Sequence, residues 1–287
     1  MAHDTRPKYA RLTISVLVIG VMLIATVLIV LLIVSNTIQS GRSDATVGFF
    51  NFTGADTWKP VERLVNGVSM MQVPPGCFIM GSETTTEDER PVMEQCFDVS
   101  FWIDKTEVTQ SQFAAYGGVA EVTSAFQGST RPVEQIDWFE ARNFCQLRGA
   151  RLPTEREWEY AARSPDGWRY AWGEEFRVSR AIFGRTEITG TEQVGLLPAG
   201  MSWVGALDMN GNVWEWVSSR LATYPYDAND GREIAPDSAP QIGIRMVLRG
   251  GAWNTPTEFQ LRSTARISVD PGSRLDAWGF RCARSDT

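Results

Sequence analysis

Cysteine and histidine, the residues most often used for nucleophilic and metal chemistry, are scarce in this chain of 287 residues. The only histidine is His3, so the remainder cannot build a Ser-His-Asp triad, a Cys-His pair or a histidine-ligated zinc site. An even number of cysteines in an exported domain predicts two disulfides with three possible pairings, and buried free thiols are the alternative. The cysteines are Cys77, Cys96, Cys145 and Cys282.

A long apolar segment near the N-terminus indicates which compartment these cysteines occupy. Leu12–Val34 contains no charge and consists almost wholly of Leu, Ile, Val, Met and Ala. At about 1.5 Å per residue its helix would be roughly 34 Å long, enough to cross a hydrocarbon core of about 30 Å. A cleaved signal peptide is the alternative, but its apolar region is usually only about 7–15 residues, and Ser35–Gln39 offers no Ala-x-Ala pattern. We therefore predict an uncleaved transmembrane anchor over residues 12–34.

The charges that flank the anchor predict its orientation. Arg6, Lys8 and Arg11 against Asp4 give the N-terminal flank a charge of +2, whereas the other flank mixes both signs. Basic flanks stay in the cytoplasm, so residues 1–11 are predicted to be cytoplasmic and the C-terminal part periplasmic or extracellular. Subtracting +2 from the chain's −7 leaves −9 beyond the anchor. A domain with this negative charge is unsuited to binding nucleic acid or anionic lipid headgroups.

Beyond the anchor the sequence predicts a polar linker, residues 35–66, followed by one domain, residues 67–287, without internal repeats. About 220 residues are enough for one sizeable core. Gly, Pro, Asn and Asp interrupt the chain often, so we expect an α+β fold with few long elements and much irregular structure. The eleven tryptophans are expected mostly in the core.

Three segments near the start of the domain have the apolar pattern of strands. They are Val68–Val73, Cys77–Gly81 and Cys96–Ile103, and an acidic loop, Glu83–Glu94, joins the last two. If the two cysteine-bearing strands are neighbours, their cysteines can pair. The acidic side chains of the loop are expected to be solvated; they include Glu83, Glu87, Asp88 and Glu89.

Three helices are predicted from their N-terminal capping signals. Each begins after a Thr or Asp that is followed three residues later by Gln or Glu. The second helix is expected over about Trp138–Leu147, with Gly149 ending it, and the third over about Glu155–Arg163. The capping pairs are Thr109 with Gln112, Asp137 with Glu140, and Thr154 with Glu157.

Eight short motifs stand along the chain in a fixed order. They are Met80-Gly81-Ser82, Glu107-Val108-Thr109, Arg131-Pro132-Val133, Arg151-Leu152-Pro153-Thr154-Glu155, Tyr170-Ala171-Trp172-Gly173, Asn210-Gly211-Asn212-Val213-Trp214-Glu215-Trp216, Arg249-Gly250-Gly251-Ala252-Trp253 and Gly279-Phe280-Arg281-Cys282. Their order and spacing closely resemble the formylglycine-generating-enzyme, or sulfatase-modifying-factor, family over about Gly67–Ala283. The resemblance implies that family's compact fold, which is related in architecture to C-type lectins.

Active members of that family hold copper(I) with two cysteines that follow an Arg-Gly-Gly-Ser motif, and convert a substrate cysteine to formylglycine. Thiolates are soft ligands that suit Cu(I). Here Trp253–Arg262 contains no cysteine, and Ala252 replaces the motif serine. The comparison therefore implies that copper is not bound and that this oxidase activity is absent.

The resemblance also implies a disulfide pairing. In the family, a cysteine at the position of Cys145 is bridged to the cysteine of the terminal Gly-Phe-Arg-Cys motif, here Cys282. That pairing leaves Cys77 and Cys96 to each other, in agreement with the neighbouring strands considered above.

A calcium site is a further implication. The family binds Ca²⁺ through one carboxylate, here Glu215, and through main-chain carbonyls, here those of Asn210, Gly211 and Val213. Hard oxygen ligands of this kind suit Ca²⁺. The alternative is a plain Asn-Gly turn with Glu215 in a buried salt bridge. The family's second calcium site is not expected, because Ile182 stands where that site needs an Asn.

The segment that forms the family's cleft carries several charged side chains that could hold an anionic substrate or a partner peptide. The charged residues are Arg249, Glu258, Arg262 and Arg266, and Trp253 of the Arg-Gly-Gly motif lies in the same segment. A retained framework without the cysteine pair predicts a membrane-anchored, non-catalytic binding or accessory subunit outside the cytoplasm, beside other proteins of a membrane complex. The alternatives are an enzyme of different chemistry in the same cleft and a purely structural subunit.

Overall fold

The computed structural model describes residues 54–234 and 243–286, which belong to one compact unit, Asn51–Thr287. The predicted cytoplasmic N-terminus (1–11) and anchor (12–34) lie outside the described residues. Within them, no helix is both long and apolar enough to cross a bilayer.

Three sheets run through the described residues. The first has the order β1-β2-β5-β10, the second is the hairpin β3-β4, and the third has the order β8-β7-β6-β9, in which only β6 and β9 are parallel. The strands are β1 (Glu62–Val65), β2 (Val68–Val73), β3 (Gly76–Met80), β4 (Met93–Phe97), β5 (Phe101–Asp104), β6 (Trp214–Arg220), β7 (Met246–Arg249), β8 (Arg266–Val269), β9 (Trp278–Phe280) and β10 (Ala283–Ser285).

Two strand boundaries differ from those predicted. Strand β1 lies inside the predicted linker, because Asn66 (φ 50°) and Gly67 (φ 79°) adopt the left-handed conformations of a tight hairpin turn that pairs β1 with β2. The predicted strand Cys96–Ile103 is divided at residues 98–100, so that its halves pair in different sheets as β4 and β5.

The helices are α1 (Gln110–Ala115), α2 (Trp138–Leu147) and α3 (Glu155–Arg163). Every predicted capping box is formed in full: the capping side chain accepts from the third backbone N–H, and that residue's side chain accepts from the cap's own N–H. A cap of this kind contributes about 1 kcal/mol. The predicted helix starts are therefore confirmed, and Gly149 (φ 66°) follows the end of α2 as expected.

The core contains large aromatic side chains, and backbone carbonyls accept from the indole N–H groups of several of them. Trp138, Trp158, Trp216 and Trp253 are all buried. The indole N–H of Trp138 donates to Val217 O at 2.8 Å, and that of Trp216 to Ile136 O at 2.9 Å, which joins the start of α2 to β6. The expectation that most tryptophans pack in the core is confirmed, although Trp58, Trp168, Trp172 and Trp278 are only partly buried.

Both predicted disulfides are present. Cys77 and Cys96 face each other across the β3-β4 hairpin with Cα atoms 4.0 Å apart. Cys145 on α2 is bonded to Cys282 just before β10, and 137 residues separate them in sequence. The described residues contain no free cysteine.

Candidate functional site

The predicted calcium segment surrounds a buried ion pair. Glu215, in β6, accepts from Arg281 Nε at 2.6 Å and Nη2 at 2.7 Å, and from the Trp158 indole at 2.8 Å. Neither member of the pair is exposed. The remaining N–H groups of Arg281 donate to the carbonyls of Asp104, Lys105 and Leu207, so the guanidinium is held on all sides.

Two more carboxyls face this pair. Burial raises the pKa of Glu107 well above its usual value, and the nearby charges of Asp208 and Glu215 raise it further. Burial likewise raises the pKa of Asp208 to about 6, against the lowering effects of the Gly195 N–H and Arg281. Glu107 therefore holds its proton more tightly than a free glutamate does, whereas the Glu215 carboxylate is paired with Arg281.

The Glu215 carboxylate does not fit the predicted calcium role, because both its oxygens are already used by Arg281 and Trp158. Of the predicted set, Asn210 also has its side chain occupied, since its Oδ1 accepts from Ala171 N and its amide donates to Leu261 O. Only the main-chain carbonyls of Asn210, Gly211 and Val213 remain as hard ligands. The side chain of Glu215 has instead the salt bridge that was the alternative.

We expect calcium chelation to leave the thermal midpoint unchanged. A calcium site occupied at one hundred times its Kd would contribute about 2.7 kcal/mol, and excess EDTA would then lower Tm by several degrees. Thermal unfolding of the full chain with excess calcium and with excess EDTA should give superimposable curves. A midpoint higher in calcium alone would mean that the ion displaces Arg281.

The raised pKa of Asp208 predicts a pH dependence of stability. Between pH 3.8, the usual pKa of an aspartate, and about pH 6, the unfolded state loses this proton while the folded state keeps it. The free energy of unfolding should therefore fall as pH rises through this range and then level off. Asp208→Asn should flatten this slope, and Asn tolerates the left-handed backbone at this position (φ 57°). Urea unfolding of both proteins from pH 4 to 7 tests this; parallel curves would contradict it.

Two residues predicted for the cleft border a cavity of about 180 Å³, which we call the arginine cavity. It lies between residues 86–89 of the acidic loop and residues 259–267, with Trp214 on its wall. Arg262 and Arg266 line it, and both are buried. Arg262 donates to Glu89 at 2.6 Å, and its guanidinium lies 3.6 Å from the centre of the Phe259 ring.

Arg266 extends inward into a buried network of ion pairs. It donates to both oxygens of Glu155 at 2.8 Å, and Arg249 lies 3.5 Å from the same carboxylate. Arg249 also pairs with Glu159, which accepts from Arg163 at 2.9 Å. Glu155 and Glu159 are one helical turn apart on α3, so this helix presents both acids to β7 and β8.

The other predicted cleft residues lie elsewhere. Arg249 is completely buried within the network and does not reach the arginine cavity. Trp253 is buried against Phe126, and its indole donates to Asp276 O at 3.1 Å. Glu258 is exposed at the start of a short 3-10 turn, Glu258–Leu261.

Sequence reasoning missed Glu89, which was expected to be solvated with the rest of the acidic loop. Glu89 is buried, and its pKa lies below its usual value because three threonine hydroxyls and Arg262 outweigh the effect of burial. Gly81 (φ 89°) is the sequence signal that could have indicated this burial. A Cβ at this position would lie 2.5 Å from Glu89 O, so the loop can close over β3 only because residue 81 is a glycine.

Residues 55–286 match the sulfatase-modifying factor enzyme 1-like domain. The chain belongs to this family. The expected family and its α+β fold are thereby confirmed, and the match begins upstream of the predicted boundary at residue 67, as β1 does.

The chain is also similar to two curated proteins and to one solved structure. The serine/threonine-protein kinase pkn1 of Chlamydia caviae is 30% identical over 242 residues, which cover 75% of this chain and 38% of that protein. The inactive C-alpha-formylglycine-generating enzyme 2 of Bos taurus is 32% identical over 167 residues, or 53% of this chain and 50% of that one. This chain thus spans half or less of the length of these two relatives. The structure of PvdO from Pseudomonas aeruginosa, 24% identical, has the same fold with a TM-score of 0.66 over 80% of this chain and 100% of that one.

Proposed function

We propose that this protein is a non-catalytic binding module of the sulfatase-modifying factor family, held at a membrane by residues 12–34 and acting as an accessory subunit outside the cytoplasm. The observation that carries the proposal is the state of its cysteines. All four are consumed in two structural disulfides, so the chain has no thiolate for copper(I). The relative from Bos taurus, itself named inactive, supports the same reading.

The segment after the Arg-Gly-Gly motif also supports binding over oxidation. Ala252 N donates to the Thr255 hydroxyl at 2.8 Å, a closed local turn without thiol or imidazole. The arginine cavity next along the chain contains cations and apolar side chains, which are groups that hold a ligand. The second candidate is an enzyme of different chemistry. It would bind a ligand in the same cavity and then convert it.

An oxidation assay tests the non-catalytic part. We expect the full chain, purified in a nonionic detergent and supplied with Cu(I) and oxygen, to leave a Cys-x-Pro-x-Arg peptide unchanged by mass spectrometry. A formylglycine-generating enzyme that retains its cysteine pair serves as the positive control. Copper-dependent aldehyde formation by this chain would overturn the proposal.

Native gel electrophoresis of gently solubilised membranes tests the accessory part. A subunit of a membrane complex should migrate well above its own 32.0 kDa and shift to the monomer when a harsher detergent is used. Migration only as a monomer under the gentlest conditions would count against an accessory role, while leaving the absence of oxidase activity in place.

A further inference from the structure

One residue that lines the arginine cavity has a buried hydrogen-bond donor without a partner among the described residues. Arg262 donates through Nη1 to Phe259 O and through Nη2 to Glu89, but its Nε has no partner among the described residues. The whole side chain is only 5% exposed. An unpaired donor on a buried guanidinium is costly, and Arg262 is one of the residues that line an accessible cavity, from which a ligand could approach its guanidinium.

The buried charges behind this wall leave an excess of positive charge. The chain of direct ion pairs from Arg163 through Glu159, Arg249 and Glu155 to Arg266 joins three arginines to two glutamates. The pair of Arg262 with Glu89 is neutral, because the lowered pKa of Glu89 keeps it ionised. One positive charge of the linked groups therefore has no directly paired carboxylate, and an incoming anion would balance it.

Part of the remaining wall of the cavity is apolar. Trp214 and Ile267 lie on it, and Phe259, which is 49% exposed, stands at its edge. A cavity of about 180 Å³ is large enough to hold several waters. That space suits a small molecule with a flat apolar group better than a folded partner.

We infer that the arginine cavity binds the carboxylate of a small apolar acid, which accepts from Arg262 Nε while its apolar group contacts Trp214 and Phe259. This inference rests on the proposed function, since it names the ligand class of the same non-catalytic module. The free C-terminus of a peptide that ends in an apolar residue carries the same chemistry. Asp88, exposed at the rim, opposes the ligand's charge and so limits its affinity.

Calorimetric titration of the full chain in a nonionic detergent tests the inference. The probes are 3-phenylpropionate, its neutral amide, the tripeptide Gly-Gly-Phe and inorganic phosphate. A charge-assisted hydrogen bond predicts that the acid binds at least about tenfold more tightly than the amide. Tighter binding of Gly-Gly-Phe than of phenylpropionate would support the site and identify a peptide C-terminus as the source. Equal affinity for acid and amide, or preference for phosphate, would overturn the inference.

Three variants separate binding from folding. Arg262→Lys keeps the charge opposite Glu89 but removes the Nε donor, and it should weaken binding of the acid about tenfold. Phe259→Ala, at an exposed position, should weaken acid and amide alike. Asp88→Asn should tighten only the acid, by about threefold, because it removes a repelling charge from the rim. Arg177→Lys, on an exposed ion pair far along the chain, is the matched control and should change nothing.

The outcomes distinguish the site from the function on which it rests. If neither Asp88→Asn nor Phe259→Ala alters binding, the cavity is not the site, and the proposed non-catalytic role stands. If the acid binds as predicted but is chemically converted, the site stands, and the non-catalytic role fails.

Discussion

Arg281→Met should be among the most destabilising single substitutions in this protein, lowering the free energy of unfolding by about 3–5 kcal/mol. Methionine fills similar space, but it leaves the Glu215 carboxylate buried with only the Trp158 indole as a donor. It also removes the cation that lowers the pKa of both Glu107 and Asp208. Domains are commonly stable by only about 5–15 kcal/mol, so the loss would be a large fraction of the total.

Urea unfolding followed by tryptophan fluorescence measures this effect, since every tryptophan lies beyond residue 57 and reports on the C-terminal unit. The double variant Glu215→Gln with Arg281→Met removes the orphaned charge and should recover much of the loss. Arg177→Met breaks an exposed pair with Glu175 and should cost at most about 1 kcal/mol. Equal costs for Arg281→Met and Arg177→Met would contradict a structural role for the buried pair.

Local signals in the sequence predicted local structure well. Each of the three helix starts is specified by a capping pattern only four residues long, and all three helices begin where these patterns predict. The Asn66-Gly67 pair is an equally strong hairpin signal, but it stands at the end of the segment that composition predicts to be a polar linker. The family resemblance supplied the long-range disulfide, which no local pattern could give.

The side-chain partners in the site could not be predicted in this way. Glu215 and Arg281 are separated by 66 residues, and each stands in a motif that looks complete by itself. Glu89 and Arg262 are 173 residues apart, and an acidic loop normally stays in water. Such pairs depend on how β6, β9 and the loops pack together, so a motif gives the residue types but not their partners.

Removing the disulfide between Cys145 and Cys282 should cost more than removing the one between Cys77 and Cys96. In the chain-entropy model, a loop of 137 residues contributes about 5 kcal/mol and a loop of 19 residues about 3 kcal/mol. The first bond also lies beside a buried ion pair, because Cys282 N donates to Asp104, whose carboxylate binds Arg148 at 2.6 and 2.8 Å.

Double alanine variants of each pair, unfolded in urea without reductant, give the comparison directly. We expect both to remain folded, with the Cys145/Cys282 variant less stable than the Cys77/Cys96 variant by about 2 kcal/mol. Its larger loss has a second cause, since two buried sulfurs are replaced by smaller side chains between α2 and β10. A greater loss from the hairpin pair would mean that the β3-β4 hairpin, which carries the loop of Glu89, stabilises the domain more than its short ring implies.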